Sequence, residues 1–78
     1  MTKKKLLNDI DKIKQELINF DVMSLINITP WWNILNDKVR IDIECYLKKD
    51  IEIKDLTYEI EIEIQYKYNS YDIEFIYP

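Results

Sequence analysis

The chain has no glycine and no histidine, and it carries a single cysteine, Cys45. Without histidine no Ser-His or Cys-His dyad forms, and the imidazole that serves most metal sites is missing. Without glycine there is no phosphate-cradling loop of the nucleotide-binding kind, and no calcium loop of the type that turns sharply at glycine. One cysteine allows no internal disulfide, which suits a reducing compartment, so a cytoplasmic protein is expected. No apolar run is long enough for a membrane helix, and Asn8, Asp9 and Asp11 interrupt the N-terminus before a signal-peptide core forms. Positive charge is in deficit too. The 11 Lys and Arg face 15 Asp and Glu, a formal net charge of −4, so the overall field repels nucleic acid and anionic membranes and favours a basic partner.

What is present is apolar enough to fold: 47% hydrophobic and 13% aromatic, with 33% charged to keep it in solution. At 78 residues the chain is read as one domain, 1–78, near the size at which a single core just offsets the entropy of ordering the chain. Leu6, Ile10, Ile13, Leu17 and Phe20 recur at four- and three-residue steps, which places them within one arc of a helix, with Asn8, Lys12, Gln15 and Asn19 opposite. Period-two alternation begins at Val39. Val39, Ile41, Ile43, Cys45 and Leu47 fall on one side and Arg40, Asp42, Glu44, Tyr46 and Lys48 on the other, so a strand is expected with Cys45 buried as a small hydrophobe.

The same alternation is strongest from Thr57 to Tyr77. Tyr58, Ile60, Ile62, Ile64, Tyr66 and Tyr68 alternate with Thr57, Glu59, Glu61, Glu63, Gln65 and Lys67, and after Asn69-Ser70 the series Tyr71, Ile73, Phe75, Tyr77 resumes. This predicts a hairpin in which Tyr68 faces Tyr71, Tyr66 faces Ile73, Ile64 faces Phe75 and Lys67 faces Asp72. Past Phe20 the helical stripe breaks, because Val22, Met23, Leu25, Ile26 and Ile28 no longer share a face, and the stretch reads equally as a helix extension or as a strand. Thr29-Pro30-Trp31-Trp32 has the form of an N-cap and first-turn proline opening a short helix toward Leu35. Its rival is a short strand over 32–35 that turns at Asn36-Asp37. Lys48 to Leu56 reads equally as a strand extension around Ile51-Glu52-Ile53 or as a folded loop. The expected fold is α+β, an N-terminal amphipathic helix packed on a three- to four-stranded antiparallel sheet.

On that fold the polar sheet face gathers Asp42, Glu44, Glu59, Glu61, Glu63, Asp72 and Glu74 against Arg40, Lys48 and Lys67. Carboxylates about 7 Å apart along strands about 4.8 Å apart form a fixed negative array, which imitates phosphates to the Lys and Arg of a nucleic-acid-binding protein. The plain alternative is a charged outer face that only keeps a one-sided sheet soluble. Trp31 and Trp32 are candidate interface anchors, or members of the core; Tyr46 and Ile76 fall on the acidic face and give it an apolar centre. A metal reading of the acids and a paired-carboxylate glycosidase reading are both weak without a curved glycine loop or a cleft, so no metal, no cofactor and no enzymatic activity are expected.

Small size, acidity, a Lys-, Ile- and Asn-rich composition that suggests AT-rich coding, and the lack of catalytic groups together resemble the small inhibitor proteins of phages and mobile elements, anti-CRISPR proteins among them. The resemblance is one of overall type. It implies stoichiometric binding to a host defence protein through its basic nucleic-acid groove, with Asp42, Glu44, Glu59, Glu61, Glu63, Asp72, Glu74, Trp31 and Trp32 as the partner-binding residues. An immunity protein or antitoxin fits the same features. A homo-oligomeric structural or assembly subunit, burying strand edges and the two tryptophans, is the alternative from a different class.

Overall fold

The computed structural model describes residues 2–32, 38–48 and 53–78. Five elements follow in the order α1 (Lys3–Asn19), β1 (Met23–Trp31), β2 (Arg40–Leu47), α2 (Ile53–Lys67) and β3 (Asp72–Ile76). The sheet order is β1-β2-β3, with β1 antiparallel to β2 and β3 parallel to β2. The class is α+β with an N-terminal helix, as the periodicity predicted.

In α1 the repeat of apolar side chains is what the sheet receives: Leu6, Ile13 and Leu17 are buried and Ile10 packs partly buried beside them. The helix starts where Thr2, as N-cap, accepts the Lys5 N–H at 3.2 Å. Phe20 ends it and stays partly in solvent, and Asp21 then takes a left-handed backbone (φ 56°) that turns the chain toward β1.

The segment from Thr57 to Lys67 is a helix, not the first strand of a hairpin. Two physical reasons account for the difference. First, the row fits both periods: Thr57, Ile60, Ile64 and Tyr68 also recur at three- and four-residue steps, and it is this set that turns inward, while Tyr58, Ile62 and Tyr66 turn out. Glu and Gln between them are good helix formers and poor strand formers. Second, β3 lies parallel to β2, and a parallel pair needs a crossover of a dozen residues or more, which α2 supplies. The turn predicted at Asn69-Ser70 is in place, but it ends a helix: the Tyr68 N–H still bonds Ile64 C=O at 3.0 Å, and the Tyr71 N–H bonds Tyr68 C=O at 3.1 Å. The cross-strand pairs predicted for Tyr66, Lys67 and Tyr68 therefore do not form, and β3 is paired by β2 instead, Arg40 beside Asp72, Asp42 beside Glu74 and Glu44 beside Ile76.

The stretch that reads equally as helix extension or strand is β1. A bulge between Met23 and Leu25 shifts the register, so Met23 and Ile26 both face the core although a regular strand would set them on opposite sides. Ser24, inside the bulge, donates its hydroxyl to Tyr46 C=O at 3.1 Å. Thr29, Pro30 and Trp31 continue the strand opposite Asp42, Ile41 and Arg40, so the helical N-cap reading of Thr29-Pro30 is overturned. Proline is tolerated there because β1 is an edge strand, whose outer side needs no N–H. The predicted turn at Asn36-Asp37 and the Ile51-Glu52 stretch lie outside the described residues, while residues 53–56, expected as strand extension or loop, open α2 instead.

Ile41, Ile43 and Cys45 of β2 and Ile26 of β1 form the sheet's contribution to a single buried cluster, closed by Leu6, Ile13 and Leu17 of α1, Ile60 and Ile64 of α2, and Tyr71. Both helices thus cover one face of the sheet. Among the described residues no element covers the other.

Candidate functional site

The open face is assembled by register. Trp31, Arg40 and Asp72 form one row across the strands, Thr29, Asp42 and Glu74 the next, and Asn27, Glu44 and Ile76 the third, with Tyr46 beyond. Arg40 places a cation among these acids. Its Nε meets Asp42 Oδ1 at 2.7 Å and its Nη2 meets Glu74 Oε2 at 2.9 Å, and these carboxylates, Asp42 first, push its pKa up. The Tyr46 hydroxyl donates to Glu44 Oε1 at 3.1 Å. Four carboxylates are therefore held on one surface, two of them fixed by a shared guanidinium.

The other three predicted acids are elsewhere. Glu59 and Glu63 stand exposed on α2, in the layer on the far side of the sheet, and Glu61 is half-buried on the same helix, where burial pushes its carboxyl up. The expected array of Asp42, Glu44, Glu59, Glu61, Glu63, Asp72 and Glu74 is thus split, because α2 is a helix and takes its acids with it. Trp31 (56% exposed) lies at the end of the open face beside Arg40, and Trp32 (59% exposed) follows it just past the end of β1; neither belongs to the core. Tyr46 and Ile76 share the open face as the alternation predicted.

Two features escaped sequence reasoning. One is an open groove of about 790 Å³ between α2 and β3, whose walls include Tyr58, Ile62 and Tyr66 from the helix and Ile73 and Phe75 from the strand. Its signal was present in the four-residue spacing of Tyr58, Ile62 and Tyr66, masked by the period-two reading. The other is a buried hydrogen bond from the Tyr71 hydroxyl to Asp9 Oδ2, which Lys5 Nζ also approaches at 3.3 Å. Burial and the bond to Asp9 raise the Tyr71 pKa. For Asp9 burial opposes ionisation, but the Tyr71 hydroxyl and Lys5 outweigh it and hold the carboxyl below its ordinary value. The pair ties α1 to the turn that precedes β3.

Cys45 is buried as expected; its thiol lies 3.7 Å from Ile43 C=O, and burial pushes its pKa up to about 12, far from a nucleophile's. Among the described residues no group of three His, Cys, Asp or Glu side chains is placed to hold a metal ion, and no helix is long and apolar enough to cross a membrane. Comparison with protein-family models, with curated proteins and with solved structures gave no match.

Proposed function

We propose that the chain is a non-enzymatic, acidic protein-binding inhibitor of the kind phages and mobile elements encode, acting by occupying the basic nucleic-acid-binding surface of a host defence protein such as a CRISPR effector. The observation that carries this reading is the uncovered sheet face, where Asp42, Glu44, Asp72 and Glu74 lie among the exposed aromatic and apolar side chains Trp31, Tyr46 and Ile76. Strand spacing sets neighbouring carboxylates about 5–7 Å apart, a separation that a row of Lys and Arg built to follow a phosphate backbone meets with charge-assisted hydrogen bonds. The aromatic side chains supply the buried anchors that charge alone lacks, since exposed ion pairs contribute little to affinity and more to encounter rate and specificity. Arg40 holds Asp42 and Glu74 in place without neutralising the surface.

The test is capture of proteins from host lysate by the tagged chain at low and high salt, in parallel with a variant carrying Asp42→Asn, Glu44→Gln, Asp72→Asn and Glu74→Gln. A basic nucleic-acid-handling protein is expected at low salt only, and the variant, folded with an unchanged melting temperature, is expected to lose it. Equal capture by the two proteins would sink the proposal.

A further inference from the structure

We infer that the groove between α2 and β3 takes an extended segment of a partner protein, apolar at alternate residues and bearing Lys or Arg between them, which adds a strand to the sheet at the edge of β3 that no described strand pairs. This second docking surface goes beyond the acidic sheet face, and either can fail without the other.

The backbone of β3 sets up the edge. β3 pairs with β2 on one side, and the Asp72 N–H bonds Val39 C=O at 2.9 Å across that pair. Alternation then directs the N–H and C=O groups of Tyr71, Ile73 and Phe75 to the outer side. Gln65, reaching down from α2, marks what this edge accepts. Its carboxamide oxygen takes the Ile73 N–H at 3.2 Å and its nitrogen donates to Tyr71 C=O at 3.1 Å, the two contacts that one residue of an adjoining strand makes. One step further along, Ile73 C=O and Phe75 N–H present the same pair of groups, and no side-chain clip of this kind reaches them among the described residues. The opposite edge is guarded: β1 carries a bulge and Pro30, both devices that discourage strand addition. β3 has neither.

The groove supplies the side-chain half of the site. Tyr58, Ile62 and Tyr66 run along α2 at 63%, 51% and 79% exposure, beside Ile73 and Phe75. Eight helical residues span about 12 Å, the length of about four extended residues, so a strand laid on the β3 edge keeps alternate side chains against this row along its length. Main-chain bonds to an edge with pockets for alternate side chains are the ordinary basis of peptide recognition by strand addition. Charge selects the occupant. Glu61 and Glu74 line the groove against a single Lys38. A second copy of this chain meeting it across a two-fold axis would set those acids against their own counterparts, whereas Lys or Arg between the apolar residues of a foreign segment pairs with them.

The experiment is selection of short random peptides, displayed on phage, on the immobilised full chain, with counter-selection on the variant Ile62→Ser/Tyr66→Ser. Both positions are more than half exposed, so the variant is expected to keep its fold, which its melting temperature checks. Selected peptides are expected to alternate apolar and Lys or Arg residues and to bind the variant about tenfold more weakly or worse. N-methylation of the peptide groups that face β3 is expected to weaken binding as much, since it removes only the main-chain bonds. Peptides that bind the variant or their N-methylated forms equally well, peptides without basic residues, or no enrichment at all would overturn the inference. A two-chain mass in sedimentation at working concentration that Ile62→Ser/Tyr66→Ser returns to one chain would overturn it in favour of a second copy on the same edge. Glu74 borders both surfaces, but neither it nor Asp42, Glu44 or Asp72 is changed in this variant, so loss of peptide binding in Ile62→Ser/Tyr66→Ser is read separately from the sheet-face proposal.

Discussion

Asp9 shows how one side chain ties the first helix to the last turn of the chain. It falls inside the buried arc of α1 because it lies three residues after Leu6 and four before Ile13, and it is the Tyr71 hydroxyl that makes its burial tolerable. Asp9→Ala leaves that hydroxyl buried without its acceptor and is expected to cost about 1–3 kcal/mol in urea denaturation. Asp9→Asn keeps an acceptor and is expected to cost less at neutral pH. The pH dependence separates the two effects. Because the folded carboxyl sits below its ordinary value of 3.8, ionised Asp9 contributes stability that is fully present above that value and is lost as pH falls through the lower, folded one. The wild-type chain is therefore expected to lose more stability between pH 5 and pH 3 than Asp9→Asn, and identical acid profiles would contradict the role given to Tyr71 and Lys5. The burial of Asp9 was legible in its position within the helical stripe. Its partner, far away in sequence, was not.

The element that most changed between sequence and structure is α2, and its isoleucines distinguish helix from strand directly. On a strand Ile60, Ile62 and Ile64 would share one face and contribute alike. On the helix Ile60 and Ile64 are nearly solvent-free while Ile62 is half exposed. Ile60→Ala and Ile64→Ala are each expected to cost about 2–5 kcal/mol, and Ile62→Ala about 0.5 kcal/mol or less, measured by chemical denaturation. Comparable losses at the three positions would restore the strand. The confusion has a physical origin: with an apolar residue at every second position, any helical phase finds apolar residues at steps of four, so the pattern carried both periods and only helix propensity and the crossover argued for one. The first helix posed no such problem, because its four- and three-residue steps fit no strand.

At the scale of the whole molecule, both helices cover one side of a three-stranded sheet, and the interior they enclose holds groups that resist ionisation. Burial pushes the Cys45 thiol to about 12, and burial with the neighbouring Glu16 pushes the Tyr68 hydroxyl to about 12. For a group whose folded pKa lies above its unfolded one, the stability is complete below the unfolded value and is lost as pH rises toward the folded value. The melting temperature is thus expected to hold from pH 6 to about pH 8.5 and to fall steeply toward pH 11. Cys45→Ala, whatever its cost at neutral pH, is expected to remove on the order of 1 kcal/mol of that alkaline loss. An alkaline slope equal to the wild type's would mean that the thiol is reached by solvent. The same one-sided architecture sets Asp42, Glu44, Asp72 and Glu74 together on the face that neither helix covers, while the acids of α2 belong to the other layer.

By itself the sequence determined the composition-level properties and the local elements with a single consistent period: the acidic balance, the absence of histidine and glycine chemistry, the helix over the N-terminal stripe, the strand that buries Cys45, and the acidic row carried by Asp42 and Glu44. Each rests on nearest neighbours along the chain. Tertiary structure decided the rest. A bulge at Ser24 restored a face to β1, a parallel partner for β2 required a crossover and drew Thr57–Lys67 into a helix, and the pairing of β3 with β2 chose which carboxylates stand together. Those choices depend on contacts between segments far apart in sequence, whose energies outweigh a local preference that was nearly balanced between helix and strand.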